Sequence, residues 1–287
     1  MKKIISLLMI TSFIFILSGC DLKKDNMDNI SIYTTNYPTE YITSRLYGDH
    51  SSIKSIYPNG INIEDYKLTN KQITDYSDTD LYIFNGLNEK EKGYVSSMRD
   101  KNKKLKIIDD TLYMEYNNSI EELWLDPSNF LMMAQNIKKG FNEYIGNYYL
   151  NNDINKNYEK FKIDASNLDA KIKGTAEKAK SKTIITSDKM FKYLEKYGLT
   201  VYVIDSAESK DLENARDLIN NGQIKYIFVK DNEDINNTIT SLIKNTKIET
   251  QTWYTLSTIS SENRNANEDY FSLMNENIDN LKNELYS

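Results

Sequence analysis

Cys20 is the only cysteine in the chain, and it ends the run Leu17-Ser18-Gly19-Cys20. It follows a basic start at Lys2 and Lys3 and an apolar stretch from Ile4 to Leu17. A basic start, a short apolar core and small residues at a cut site have the form of a secretory signal, and the closing cysteine gives it the form of a lipoprotein signal. The chemistry expected there is acylation. Cleavage would make Cys20 the first residue, with a lipid on its sulfur; an ordinary signal with an incidental cysteine is the other reading. The apolar stretch is shorter than the ~20 residues that span a bilayer comfortably. Two acyl chains anchor a protein stably where one holds it marginally, at roughly 0.8 kcal/mol per buried methylene.

An acylated Cys20 leaves no thiol for a disulfide, a metal site or a nucleophile. His50 is the single histidine, so His–His metal pairs are excluded and a Ser-His-Asp triad is disfavoured. It lies in a Gly-Asp-His turn and reads as a surface residue. No general base beside a nucleophile is visible, and an enzyme is not expected. The net charge of −6 becomes −8 once Lys2 and Lys3 are removed. With no basic stripe, nucleic acid is not an expected partner. An acidic balance favours a soluble exterior and attracts cations weakly, without naming a ligand.

The elements that must position any site follow a regular alternation. Residues 1–19 read as signal and 20–29 as a lipid-attached polar tether. Strands are expected at Ile30–Thr35, Ser52–Tyr57, Leu81–Phe84 and Leu105–Ile108. Helices are expected at Pro38–Tyr47, Asn70–Ser77 and Glu89–Lys101. Asp126-Pro127 is a helix start, and apolar residues recur at helical spacing from Asn129 to Tyr149. A long charged helix with a thin apolar stripe, about Asp153–Lys180, suits a connector between lobes. The alternation then resumes. Strands fall at Thr183–Thr186, Leu199–Ile204, Ile224–Val229 and Ile248–Tyr254. Helices fall at Lys189–Tyr197, Ser209–Asn221, Asp234–Lys244 and Asn267–Tyr286.

The expected fold is therefore α/β with two lobes, 30–150 and 181–287, joined by a connecting helix over 151–180. Each lobe holds a four-stranded, mostly parallel sheet with flanking helices. Ligands of open α/β sheets bind beyond the carboxyl ends of the strands, so two facing lobes define a cleft.

Several segments, in order, carry a family resemblance. They are Thr34-Thr-Asn-Tyr-Pro38, Gly48-Asp49, Asp80-Leu-Tyr-Ile-Phe-Asn-Gly86 and Leu123-Trp-Leu-Asp-Pro127, then Phe191-x-Tyr193 with Tyr197-Gly198, Ile227-Phe-Val229, and Tyr270–Leu281. Together they resemble the zinc/manganese solute-binding lipoproteins of ABC importers, along nearly the whole mature chain. The resemblance implies two lobes on a rigid helix, a divalent zinc or manganese ion carried between them, and delivery to a membrane permease and its ATPase. It implies a monomer held by lipid on the extracytoplasmic face of the cell membrane.

The metal ligands implied by that resemblance are substituted here. Glu64 stands at the first histidine position, Glu122 at the second and Asp188 at the third, and Tyr254 stands at the acidic fourth. Carboxylates gathered in one cleft need a cation to coexist, and oxygen donors suit manganese or another hard ion better than zinc. No His-rich loop is present. Lys230 takes the place of a family acid after Ile227-Phe-Val229, Lys67 replaces another, and Lys189 follows Asp188, so an amine could stand in for the metal charge. The blander readings are a helix cap for Asp188, solvated loop acids for Glu64 and Glu122, packing for Tyr254 and Trp124, and a cap for Asp126. The rival expectation is a degenerate paralogue without metal, acting as an adhesion or partner-binding lipoprotein.

Overall fold

The structure, a computed structural model, describes residues 24–287; the signal and Cys20 lie outside the described residues. Among the described residues no helix is long and apolar enough to cross a membrane. Two four-stranded sheets form, both wholly parallel. The first contains β1 (Ile30–Thr34), β2 (Ser51–Ser55), β3 (Leu81–Phe84) and β4 (Lys106–Asp109) in the order β2-β1-β3-β4. The second contains β5 (Thr183–Thr186), β6 (Thr200–Val203), β7 (Tyr226–Lys230) and β8 (Glu249–Trp253) in the order β6-β5-β7-β8. The two lobes therefore share one topology. In each, the strand order reverses between the first and third strands, and that switch point is where such sheets open a crevice.

The helices of the first lobe are α1 (Tyr37–Tyr47), α2 (Asn70–Ser77) and α3 (Glu89–Lys101). Each begins where a side chain satisfies free backbone N–H groups: Asn36 accepts from Thr39 N at 3.0 Å, Thr69 from Gln72 N at 3.2 Å, and Asn88 from Lys90 N at 3.0 Å. Next come α4 (Glu122–Leu125), α5 (Pro127–Tyr144) and the 30-residue α6 (Tyr148–Glu177). Asp126 caps α5 and Asn147 caps α6. The connector thus begins earlier than its composition suggests, because Asn147 restarts the helix after a break at Ile145–Gly146.

The buried stripe of α6 is Leu150, Ile154, Tyr158, Phe161, Ala165, Leu168 and Ile172. Steps of three and four place these residues on one face. They join a single core that includes Ile32 and Phe130 together with Phe191, Phe228, Trp253 and Tyr270. The lobes are therefore fused along the connector, and each keeps a smaller outer cluster of its own.

In the second lobe, the helix expected at Lys189–Tyr197 forms over those residues as a 3-10 helix. At ~2.0 Å rise per residue against ~1.5 Å, it carries the chain farther back along the sheet. It ends at Gly198, whose φ of 83° suits glycine. Helices α7 (Leu212–Asn220), α8 (Asn237–Asn245), α9 (Ser261–Asn265) and α10 (Tyr270–Leu285) complete the lobe.

Of the segment expected as a tether, Asp25 and Met27 are docked on the fold. Asp25 N donates to Tyr144 O at 2.9 Å, Gly146 N donates to Asp25 O at 2.6 Å, and Met27 is buried. A Cβ on Gly146 would lie 3.1 Å from Lys24 O, so the missing side chain allows this close approach.

Candidate functional site

The seam between the lobes is held by direct bonds. The Trp124 indole N–H donates to Thr255 O at 2.8 Å, and the Tyr270 hydroxyl donates to Trp124 O. Tyr37 N donates to Ser257 O at 3.1 Å, and the Thr258 hydroxyl donates to Ile61 O at 3.0 Å. Arg264 grips both oxygens of Glu40, at 2.9 and 3.0 Å.

Beside this seam lies a small pocket at the carboxyl ends of the strands. Its first-lobe lining includes Asn36 after β1, Glu64 after β2, Asn85 after β3, and Glu91 and Glu121. Its second-lobe lining includes Lys230, the last residue of β7, and Glu233. The free volume is about 40 Å³. A space of ~10–15 Å³ already holds one water, so the pocket has room for an ion or a few waters. A larger hollow of about 540 Å³ opens at the other end of the second sheet, around Gly222, Lys225 and Lys247, with one carboxylate, Glu249, in its lining.

Glu64 lines the pocket, is exposed, and makes no ion pair among the described residues. Asp188 adjoins it, lining a hollow shared with Lys230 and Glu233. Asp188 Oδ1 accepts from Met190 N at 2.7 Å as the cap of the 3-10 helix, and Oδ2 accepts from Lys230 Nζ at 3.0 Å. Asp188 thus caps the 3-10 helix and pairs with Lys230 at the same time.

Glu122 is placed elsewhere. It is 5% exposed, and its two oxygens accept from Asn117 N at 3.0 Å and Asn118 Nδ2 at 2.7 Å. Its neighbour Glu121 faces the pocket instead. Tyr254 also points away, its hydroxyl donating to Glu276 at 3.2 Å. His50 pairs with Asp28 at 3.0 Å. Glu64, Glu122 and Asp188 therefore do not converge, and among the described residues no three His, Cys, Asp or Glu side chains form a group that could hold a metal.

Lys230 is the cation of the site. Its Nζ lies 3.0 Å from Asp188 and 2.6 Å from Glu233, and its side chain is 15% exposed. Burial pulls its pKa down, but Glu233 and Asp188 outweigh burial and hold it above the ordinary lysine value. Lys67 and Lys189 are exposed and make no ion pair among the described residues.

Burial raises the pKa of Glu121; the Ser119 hydroxyl opposes the rise, Asp188 adds to it, and Lys230 counters it. Burial pushes Glu91 up to about 8. Sequence reasoning missed Glu91, Glu121 and Glu233. The only sequence signals for them were the spacing of Glu91 with Val95 and Met98 on the buried face of α3, and the position of Glu233 three residues after Lys230.

A family model described as zinc-uptake complex component A, periplasmic, matches residues 32–284. A metal ABC transporter substrate-binding lipoprotein of Lactococcus lactis subsp. lactis is 24% identical, over 98% of this chain and 96% of that protein. The manganese ABC transporter substrate-binding lipoprotein PsaA of Streptococcus anginosus is 25% identical, over 98% of each. In fold, the chain is similar to the metal-dependent lipoprotein YcdH of Bacillus subtilis. The TM-score is 0.74 at 22% identity, over 90% of this chain and 100% of that one.

Proposed function

Because the chain belongs to the zinc-uptake complex component A family, we propose that it is the solute receptor of an ABC importer for a divalent metal ion. In this reading a lipid on Cys20 holds it at the extracytoplasmic face of the membrane. The receptor captures the ion between its lobes and hands it to a permease driven by an ATPase. The observation that carries the reading is the pocket of about 40 Å³ with carboxylates from both lobes in its lining. A small space lined by carboxylates suits a cation.

The donors on offer are carboxylate oxygens, Glu64 and Glu121 from one lobe and Glu233 from the other with Asp188 in the adjoining hollow. No three of them stand as a ready metal group among the described residues, so an ion would have to draw them together. Such a set suits manganese or another hard ion better than zinc, which imidazole favours. Glu122 and Tyr254 would join only by breaking their bonds to Asn117, Asn118 and Glu276.

Elemental analysis of the purified protein, with calorimetric titration of the stripped form, tests the reading. Manganese or zinc should bind with one-to-one stoichiometry, and a joint Glu64→Ala, Glu121→Ala and Asp188→Ala variant should lose it. At one hundred times its dissociation constant the ion should add about 2.7 kcal/mol of stability.

The Lys230 ion pairs favour a second reading, a receptor-like lipoprotein that carries no metal because its acids are already neutralised. Absence of bound metal, together with no thermal shift from manganese, zinc, iron, calcium or magnesium, would establish that reading over the first.

A further inference from the structure

We propose that Lys230 decides which cations the cleft accepts: its ammonium is a resident, covalently tethered cation, and an incoming ion must displace it from Asp188 and Glu233. The inference rests on the metal-receptor reading and specifies how its site works.

The ammonium occupies a built cradle. Lys230 closes β7, where its backbone is in register with buried Trp253 on β8. Asp188 is fixed by its bond to Met190 N at 2.7 Å. The amine reaches Asp188 at 3.0 Å and Glu233 at 2.6 Å with little exposure, and Glu121 lies within electrostatic range of both Asp188 and Lys230. An ion entering this ground would find a positive charge already bonded to two of the available carboxylates.

A consequence for selectivity follows from charge. A monovalent ion that displaces the ammonium exchanges one unit charge for another and still has to shed its water. A divalent ion gains twice the attraction to the same acids, against a larger dehydration cost of its own. It has more with which to displace the ammonium only where the acids close around it. The lysine stem has four rotatable carbons, so the ammonium can swing out while Asp188 and Glu233 stay in place. Lys230 therefore acts as a threshold: it keeps monovalent ions out and weakens divalent binding.

The test compares wild type, K230M and K230R, as whole mature chains, by competition of manganese and zinc with a fluorescent chelator and by elemental analysis. K230M removes the charge and keeps the stem, and K230R keeps the charge; K230Q replaces K230M if that variant unfolds early. Tighter binding by K230M, ten-fold or more, with K230R close to wild type, is the expected result. If wild type binds and K230M binds no tighter, the threshold is overturned while the metal receptor stands. If wild type is silent and K230M binds, the threshold is supported and the native metal cargo falls. If every variant is cooperatively folded and none binds, both fall.

Discussion

Replacing Glu91 by Gln should flatten the dependence of stability on pH between about 4.5 and 8. Glu91 is 1% exposed and lines the pocket, where its Oε2 accepts from Asn85 N at 3.1 Å. Burial, the largest cause, lifts its pKa from 4.5 to about 8, against the smaller opposing pulls of Thr35, the Asn85 N–H and Lys90. The folded protein thus keeps a proton over a range where the unfolded chain has lost it. Stability is greatest below the unfolded pKa, falls as pH climbs toward the folded one, and levels off beyond it.

A gap of ~3.5 pH units at ~1.4 kcal/mol each sets a ceiling of roughly 5 kcal/mol on that decline. Gln keeps the shape, offers an oxygen to the Asn85 N–H and never ionises. Urea midpoints at pH 5, 6, 7 and 8 in chelator-treated buffer are the assay. Wild type should lose a few kcal/mol relative to the variant between pH 5 and 8, with the gap opening steadily. Asp110, also raised by burial, should leave a residual slope of the same sign in both proteins. Parallel curves for the two proteins, or a wild type that gains on the variant as pH rises, would refute the assignment of a buried neutral carboxyl.

Three further outcomes follow from packing and from the seam. Gly140→Ala places a Cβ 2.6 Å from the Ile108 side chain, and such overpacking should cost about 1–3 kcal/mol in urea denaturation. Trp124→Phe leaves Thr255 O without its indole donor, a loss of about 1–3 kcal/mol for a buried carbonyl; a change under ~0.5 kcal/mol would mean that water fills the gap. A double-mutant cycle on Glu40 and Arg264 should give a coupling of about 1 kcal/mol or less, shrinking with added salt, because the Arg264 side chain is 41% exposed.

The alternation of strands and helices was legible in the sequence because most of the β-strands, four or five residues long, carry Ile, Val or Tyr, and several are bounded by Asn or Asp, as β1 and β3 are. The site was less legible, since which neighbour faces a cleft depends on rotation. Glu121 and Glu122 stand at the start of α4, and one residue turns a helix by ~100°. That step sends Glu121 toward the pocket and Glu122 toward Asn117 and Asn118. Lys230 was readable as a substitution, but its engagement with Glu233 was not, because that contact depends on how the chain turns after β7. Position alone also concealed Glu91, an acid on the apolar face of α3 that its neighbours Val95 and Met98 would lead one to fill with a hydrocarbon.

The docked segment at Asp25 has a consequence for how the molecule stands. It meets the fold at Tyr144 and Gly146, at the far end of α5, whose opening turn lies just after the pocket residues Glu121 and Trp124. Eighteen residues of helix measure ~27 Å. Only three residues, four steps and at most ~14 Å of chain, lie between Cys20 and Lys24. With a lipid on that sulfur, as proposed, the anchor would attach beside the end of α5 remote from the pocket, and the short link would tie that end of the molecule to the membrane.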